Sequence, residues 1–244
     1  MKLLLCVWSW FLVIGSFVSH AVLAPILAIF ARDKEACYYW SCRPFLVWSF
    51  RLAGITLDVQ GLEHIPKKGP FVIVSNHQSL LDIWIHIVAL PIKVAFFAKE
   101  ELLKVPILGR DIRKQGHFYV DRRNPRKAKK QMEGVKARIL EGQSILIFPE
   151  GTRSMDDRIA SFKRGAFQIA LETGTRILPV YLQGSGAVLR KNSFWILPAP
   201  ISVRIGPVII PTLLDDSLAK SAKALAATAE TAVKRLAPTA PPLS

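Results

Sequence analysis

Cysteine is scarce in this sequence, and the few cysteines that occur have no partners for a structural site. Cys6, Cys37 and Cys42 are the three cysteines, an odd number, and no histidine cluster accompanies them. They therefore indicate neither a disulfide framework nor a zinc site. A catalytic domain that faces the reducing cytoplasm is the simpler interpretation.

Acidic residues are also few, with 18 Asp and Glu against 33 Lys and Arg, which gives a net charge of +15. Such a chain suits a polyanion, either a nucleic acid or an anionic bilayer. The densest basic run consists of Arg122, Arg123, Arg126, Lys127, Lys129 and Lys130. No aromatic residues are interleaved with it and no nucleic-acid motif is present, so base stacking is unsupported. The run indicates a solvated or lipid-facing helix, and no nucleic-acid partner is expected.

Charged side chains are missing altogether from Leu3 to Ala31. A bilayer core needs roughly 20 apolar residues in a helix, so this run is long enough to span. Pro25 would kink or end such a helix. The pattern favours a transmembrane or deeply inserted anchor. A cleaved signal peptide with a cut near Ser19–Ala21 and a pair of interfacial helices are the alternatives.

A second segment, roughly Pro44 to Ile55, has the pattern of an amphipathic helix. Phe45, Trp48 and Leu52 share one face, and basic residues flank it. This suits a helix in a lipid headgroup layer. A helix that covers the protein core would show the same periodicity, so both interpretations stay open.

From Gly54 onward, short β-rich runs alternate with helical patterns. The predicted strands are Ile55–Val59, Phe71–Val74, Val94–Phe97, His117–Val120, Ser144–Phe148, Ile177–Leu182 and Ile201–Ile205. The predicted helices are Leu80–Leu90, Pro125–Glu141, Gly165–Thr173 and an Ala-rich helix from Asp215 to about Leu236. This alternation predicts an α/β fold with a mostly parallel central sheet flanked by helices. We expect membrane-anchoring or interfacial helices over 1–53, a catalytic domain over 54–236 and a disordered tail over 237–244.

One polar element directly follows the strand Phe71–Val74 and runs from Asn76 to Asp82. On a regular helix, His77 and Asp82 would point about 140° apart. They can meet if His77 lies in the loop and Ser79 is the N-cap, which puts Asp82 at the third helical position. The pair would then be a general base and its orienting carboxylate. The alternative is a helix cap made by Ser79 and Asp82, with His77 an ordinary loop residue. His86 is interpreted as a buried histidine whose hydrogen bonds are satisfied.

A second element, Phe148–Ser154, follows the strand Ser144–Phe148. Its Pro and Gly predict an irregular turn. Arg153 can contact a phosphate through two hydrogen bonds, and Glu150 can accept a hydroxyl or hold Arg153. The alternative is an ordinary turn with a solvated charge pair.

Lys99 and Arg122 each follow a predicted strand as well. In parallel sheets, sites gather at the carboxyl ends of strands, so each could bring positive charge to an anionic substrate. Taken singly, each suits a surface charge equally well.

Together these elements resemble the glycerol-phosphate and lysophosphatidate acyltransferase family. The resemblance runs from about residue 54 to 210, with the motifs in the family's order. It rests on His77 and Asp82 of the His-x4-Asp element; Lys99, Leu102, Pro106 and Gly109; Gly116 to Arg122; the complete Phe148 to Ser154 element; Phe162 to Gly165; and Leu178 to Val180.

The resemblance implies an acyltransferase whose base is His77, oriented by Asp82. Lys99, Arg122 and Arg153 would hold the acceptor's phosphate, and Glu150 and Gly151 would shape the acceptor pocket. The expected acceptor is a lysophospholipid such as 1-acylglycerol-3-phosphate, and the donor is a thioester of coenzyme A or acyl carrier protein. No metal or other cofactor is implied. Alternatives are another lysolipid acceptor, such as a lyso-ornithine lipid, and a membrane-tethered lipid-binding module without activity.

Overall fold

The computed structural model describes residues 2–120, 125–156, 158–214 and 217–238. Side chains are described in these ranges except at 99–100, 120 and 125–130. The helices are α1 (Lys2–Phe30), α2 (Lys34–Leu52), α3 (Asp82–Ala89), α4 (Leu108–Lys114), α5 (Pro125–Leu140), α6 (Gly165–Thr173), α7 (Ser185–Val188) and α8 (Leu218–Arg235). Short 3₁₀ helices cover Leu62–His64 and Glu100–Lys104.

Seven strands form one sheet in the order β1-β7-β6-β2-β5-β3-β4. They are β1 (Thr56–Gln60), β2 (Val72–Ser75), β3 (Val94–Lys99), β4 (Phe118–Val120), β5 (Ser144–Ile147), β6 (Ile177–Gln183) and β7 (Pro200–Ile205). All neighbours pair in parallel except β6 and β7, which are antiparallel. The predicted α/β fold with a mostly parallel sheet is therefore confirmed. The carboxyl ends of β2, β5, β3 and β4 lie side by side at one edge.

Each face of the sheet is covered by its own hydrophobic core. One core joins the sheet to α2, α3 and α4, and Val13 of α1 packs into it. The other core lies under α5, α6 and α8 on the opposite face. Strands buried on both faces need apolar residues at consecutive positions, which is why the central strands β2, β5 and β6 are rich in consecutive Val, Ile and Leu residues.

The first helix, α1, buries small and polar side chains and exposes large apolar ones, the reverse of the usual pattern for a helix on a soluble protein. Its buried side chains are mostly small or polar: Cys6, Ser9, Val13, Ser16, His20, Ala24 and Ala28. Its large apolar side chains, such as Val7, Phe11 and Phe30, are exposed. By length and composition α1 is able to cross a membrane. It does not end at Pro25, as the sequence allowed, but continues to Phe30.

The second helix begins earlier than the sequence pattern predicted. It starts at Lys34, because the Asp33 side chain caps it by accepting a hydrogen bond from the Ala36 N–H at 2.9 Å. Pro44, the predicted start, lies inside the helix. Trp48 of the predicted aromatic face is exposed.

The last helix, α8, begins after Ser217, whose hydroxyl accepts a hydrogen bond from the Lys220 N–H. The predicted helix start, Asp215 and Asp216, lies outside the described residues. So does the predicted tail from residue 239 to 244.

Candidate active site

A single buried carboxylate organises the loop between β2 and α3. Oδ2 of Asp82 accepts hydrogen bonds from His77 Nδ1 at 2.8 Å, from the Gln78 N–H at 2.7 Å and from the Ser79 N–H at 2.9 Å. Asp82 has no solvent exposure. The loop therefore wraps around the carboxylate, and the predicted pairing of His77 with Asp82 is present in the geometry.

The local helix start differs from the sequence-based expectation. Ser79 was expected as N-cap with Asp82 third in the helix, but α3 begins at Asp82 itself. The Ser79 hydroxyl is used elsewhere: it donates to the Leu189 carbonyl at 2.8 Å and accepts from the Leu81 N–H at 3.2 Å. Asp82 can turn back over the loop because it stands at the first helical position. The sequence offered two alternatives for Asp82, pairing with His77 or capping with Ser79. The Asp82 carboxylate does both, since it bonds the His77 ring and the Ser79 N–H.

The position of the His77 ring fits the role of a base. Because Nδ1 donates to Asp82, the neutral ring carries its lone pair on Nε2. The ring stacks on Phe148, with centroids 4.0 Å apart and planes 12° apart. The side chain is 18% exposed, so solvent and ligands can reach it. A ring that is held on one nitrogen and one face has little freedom left to misalign the other nitrogen.

Glu150 ties the second element to the first. Its Oε1 accepts from the His77 N–H at 2.8 Å, and its Oε2 accepts from the Ala160 N–H at 2.9 Å. Burial raises the pKa of the Glu150 carboxyl, and the two N–H donors oppose that shift. With both oxygens turned to backbone amides, Glu150 supports the loop of His77 rather than facing open space.

The turn after β5 is irregular, as its Pro and Gly predicted. Gly151 has φ of 76°, and a Cβ there would lie 2.6 Å from Nζ of Lys163. Two further backbone bonds fasten the turn: the Ser154 N–H donates to the His77 carbonyl at 2.8 Å, and the Lys163 N–H donates to the Pro149 carbonyl at 2.9 Å. A side chain at Gly151 would thus strain the backbone and crowd Lys163.

The three predicted phosphate ligands differ in how much of them is described. The guanidinium of Arg153 is half-buried and makes no hydrogen bond or ion pair with any described side chain or backbone group. Lys99 ends β3, where its backbone pairs with Val120, but its side chain lies outside the described atoms. Arg122 lies outside the described residues. Because β5 lies next to β3, the turn with Arg153 and the backbone of Lys99 lie at strand ends on the edge that carries His77.

Asn76 has a positioning role that the sequence did not reveal. Its side-chain amide donates to the Leu182 carbonyl at 2.8 Å, and its Oδ1 accepts from the Leu182 N–H at 2.7 Å. This fixes the end of β2 to β6 just before His77. The only signal in the sequence is the presence of an amide beside His77, and its partner is more than a hundred positions away.

His86 is buried, as the sequence predicted, and its Nδ1 donates to the Asp82 carbonyl at 2.6 Å. Its Nε2 has no partner among the described residues, so only one of its two nitrogens is satisfied. Burial lowers the pKa of His86 to about 4. Among the described residues, no group of three or more His, Cys, Asp and Glu side chains is arranged for a metal ion.

Known proteins resemble this chain in both sequence and structure. A family model described as Acyltransferase matches residues 56–183. A 1-acyl-sn-glycerol-3-phosphate acyltransferase of Pseudomonas aeruginosa is 35% identical over 77% of this chain and 72% of its own length. One from Chlamydomonas reinhardtii is 29% identical over 88% of this chain.

The crystal structure of the 1-acyl-sn-glycerophosphate (LPA) acyltransferase PlsC from Thermotoga maritima superposes with a TM-score of 0.83. It is 27% identical, and the match covers 98% of both chains. Several curated relatives are longer: the chain spans 65% of the Chlamydomonas protein and 57% of a relative from Limnanthes alba.

Proposed function

The chain belongs to the acyltransferase family, and we propose that it moves a fatty acyl group from a thioester to the sn-2 hydroxyl of 1-acylglycerol-3-phosphate, giving phosphatidic acid. The observation that carries this proposal is the partly exposed His77 ring, held through Nδ1 by the buried Asp82. The names of the relatives support the acceptor.

The reaction needs one base and no nucleophile from the protein. His77 Nε2 takes the proton of the acceptor hydroxyl as that oxygen bonds to the thioester carbonyl carbon. The buried Asp82 carboxylate stabilises the imidazolium that forms. The carbon–sulfur bond then breaks, and His77 returns the proton to the leaving thiolate. The ester and the free thiol leave the site, and His77 is neutral again.

The acceptor's phosphate is assigned to the basic residues at the carboxyl edge of the sheet. The guanidinium of Arg153, which pairs with no described residue, suits a two-bonded contact with phosphate oxygens. Lys99, at the end of β3, and Arg122, two positions after β4 in the sequence, would add charge. Glu150 and Gly151 contribute by shaping the turn that presents Arg153.

The donor is a thioester of coenzyme A or acyl carrier protein, and the chemistry above requires neither a metal nor another cofactor. The assay below compares these two donors. The remaining partner is a membrane with anionic lipids, because a chain with net charge +15 is attracted to such a surface.

In this proposal, α1 lies in one leaflet of the membrane with its apolar face in contact with lipid. Near its start, Cys6 donates to the Phe194 carbonyl, and farther along His20 bonds Asp111 of α4 at 3.0 Å. A helix bound to the domain at both places cannot cross a bilayer without breaking those contacts. Its exposed large apolar residues instead suit the lipid. The catalytic domain then faces the cytoplasm, where the thioester donors are soluble.

The direct test is an acyl-transfer assay with purified protein, a labelled thioester and a panel of acceptors. We expect 1-acylglycerol-3-phosphate to be acylated faster than monoacylglycerol or a lyso-ornithine lipid. Coenzyme A and acyl carrier protein thioesters are compared in parallel. A preference for an acceptor without a phosphate would refute the acceptor assignment, and lack of transfer to every lysolipid would refute the enzyme assignment.

A further inference from the structure

A short loop beside the active site carries two exposed aromatic side chains. We name Arg190–Trp195 the aromatic loop. It is closed at its base by an antiparallel bridge between Leu189 and Ile196. Phe194 is 81% exposed and Trp195 is 49% exposed. Neither side chain belongs to a hydrophobic core, so their exposed apolar area is available to something outside the chain.

The aromatic loop is joined to the start of α1. The Phe194 carbonyl accepts hydrogen bonds from Trp10 Nε1 at 2.7 Å and from Cys6 Sγ at 3.2 Å. The residues that follow these donors along α1, Val7 and Phe11, are among its exposed apolar side chains. The loop and the apolar face of α1 therefore lie next to each other.

The other side of the aromatic loop is joined to the catalytic elements. Lys191 Nζ donates to Thr152 Oγ1 at 3.1 Å and to the Arg153 carbonyl at 2.9 Å. At the base of the loop, the Leu189 carbonyl accepts from the Ser79 hydroxyl. One short segment thus contacts α1, the turn that carries Arg153 and the loop that carries His77.

A cleft of about 510 Å³ opens between these parts. Gln78 and Ser154, neighbours of the catalytic elements, line it together with Trp195. Lys2 and Arg190 also line it, and both are exposed. Aromatic side chains next to cations are the composition expected where a protein meets lipid headgroups.

We propose that the aromatic loop is a second lipid-contacting element, which carries Phe194 into the membrane surface next to the cleft that is lined by Gln78, the neighbour of His77. The occupant is an anionic lipid surface rather than another protein, because the loop adjoins the apolar face of α1 and has cations beside it. The proposal rests on the proposed function, since it concerns how a membrane-embedded acceptor reaches the site. Contact with lipid at this loop would bring the acceptor to the cleft without its leaving the leaflet.

The test compares one reaction with the acceptor presented in two ways. Phe194→Ser removes the exposed side chain and keeps the carbonyl that bonds α1. Leu140→Ser is the matched control, because Leu140 is 72% exposed but ends α5, whose Val135 and Ile139 belong to the core on the opposite face. Acyl transfer is measured with long-chain 1-acylglycerol-3-phosphate in anionic vesicles and with a short-chain acceptor dissolved below its micellar concentration.

We expect Phe194→Ser to lose about tenfold in rate on the vesicle acceptor, in keeping with the loss of one buried aromatic side chain. Its rate on the dissolved acceptor should stay at the parent value, and Phe194→Leu should restore most of the vesicle rate. Leu140→Ser should match the parent in both assays. The proposal is overturned if Phe194→Ser and the parent have equal rates on vesicles. It is also overturned if Phe194→Ser loses equally on both acceptors, because that result indicates that Phe194 supports the turn with Arg153 rather than contacting lipid. If the parent acylates neither acceptor, the proposed function fails, and vesicle partition of the same variants still tests the loop.

Discussion

At the scale of the residue, the proposed chemistry depends on one oxygen atom. Asp82 Oδ2 accepts hydrogen bonds from the His77 ring and from two backbone N–H groups, so the carboxylate both orients His77 and shapes the loop that presents it. A carboxylate with three donors is held more firmly than one that pairs with histidine alone. Asp82 is therefore expected to matter for geometry and charge at once.

Arg153 should bind the acceptor's phosphate. Charge-assisted contacts of this kind are worth roughly 1.5–3 kcal/mol, so Arg153→Ala should lower kcat/KM for 1-acylglycerol-3-phosphate by about ten- to a hundredfold. The KM of the thioester donor should change much less. Arg153→Lys should also be poor, because an ammonium cannot reproduce the planar two-bonded contact.

The control is Arg235→Ala, which removes the same charge from the end of α8, on the opposite face of the sheet. Titrations use acceptors with and without the phosphate. A phosphate clamp is the wrong assignment if Arg153→Ala impairs both acceptors equally.

His86 should make the folded protein sensitive to acid. Burial lowers its folded pKa to about 4, below its ordinary 6.5, so between these values the unfolded state binds a proton that the folded state does not. Stability therefore falls as pH falls through this window, by about 2 kcal/mol from pH 7.5 to pH 5 for one such group. His86→Gln keeps an N–H donor and does not titrate.

Thermal unfolding in detergent, recorded at both pH values, should show a smaller acid-induced decrease for His86→Gln than for the parent. A remainder is expected from His117, whose pKa burial lowers to about 3. The same decrease in both proteins would show that His86 is not the group responsible.

At the scale of the element, the strands were predictable and the junctions were not. All seven strands occur close to where the sequence indicated, and the central strands β2, β5 and β6 show the continuous apolar run that burial on both faces needs. The start of α2 was missed because it depends on a cap by Asp33 in a polar stretch. The helices α4 and α7 are too short to show a helical period. The pairing of His77 with Asp82 could be inferred from a motif, whereas Lys191 and Asn76 act through partners distant in sequence.

The first helix should depend on its small buried residues. Ala24 is fully buried against Tyr38, so Ala24→Leu would force extra carbon atoms between α1 and α2. Overpacking of this kind typically costs about 1–3 kcal/mol. We therefore expect a lower unfolding temperature in detergent. Ser19→Leu adds similar bulk at an exposed position of the same helix and should change it little. Equal tolerance of both changes would mean that α1 does not pack on α2 as described.

At the scale of the whole molecule, we expect the apolar face of α1 and the basic surface to attach the protein to the membrane together. At 1 M salt the screening length is about 3 Å, so charge attraction is largely removed while apolar burial remains. We expect the protein to stay with membranes after such a wash and to be released by detergent. Release by salt alone would assign the attachment to the basic surface rather than to α1.

We propose that His77, oriented by Asp82, is the base in acyl transfer to 1-acylglycerol-3-phosphate. The most direct measurement is the turnover of labelled thioester by purified His77→Ala, with its fold checked by thermal unfolding. General-base catalysis commonly contributes about 10²–10⁴-fold, so we predict a loss in kcat of that size with an unchanged unfolding temperature. Asp82→Asn should be impaired in the same direction. Turnover near the parent value by a folded His77→Ala protein would contradict the account.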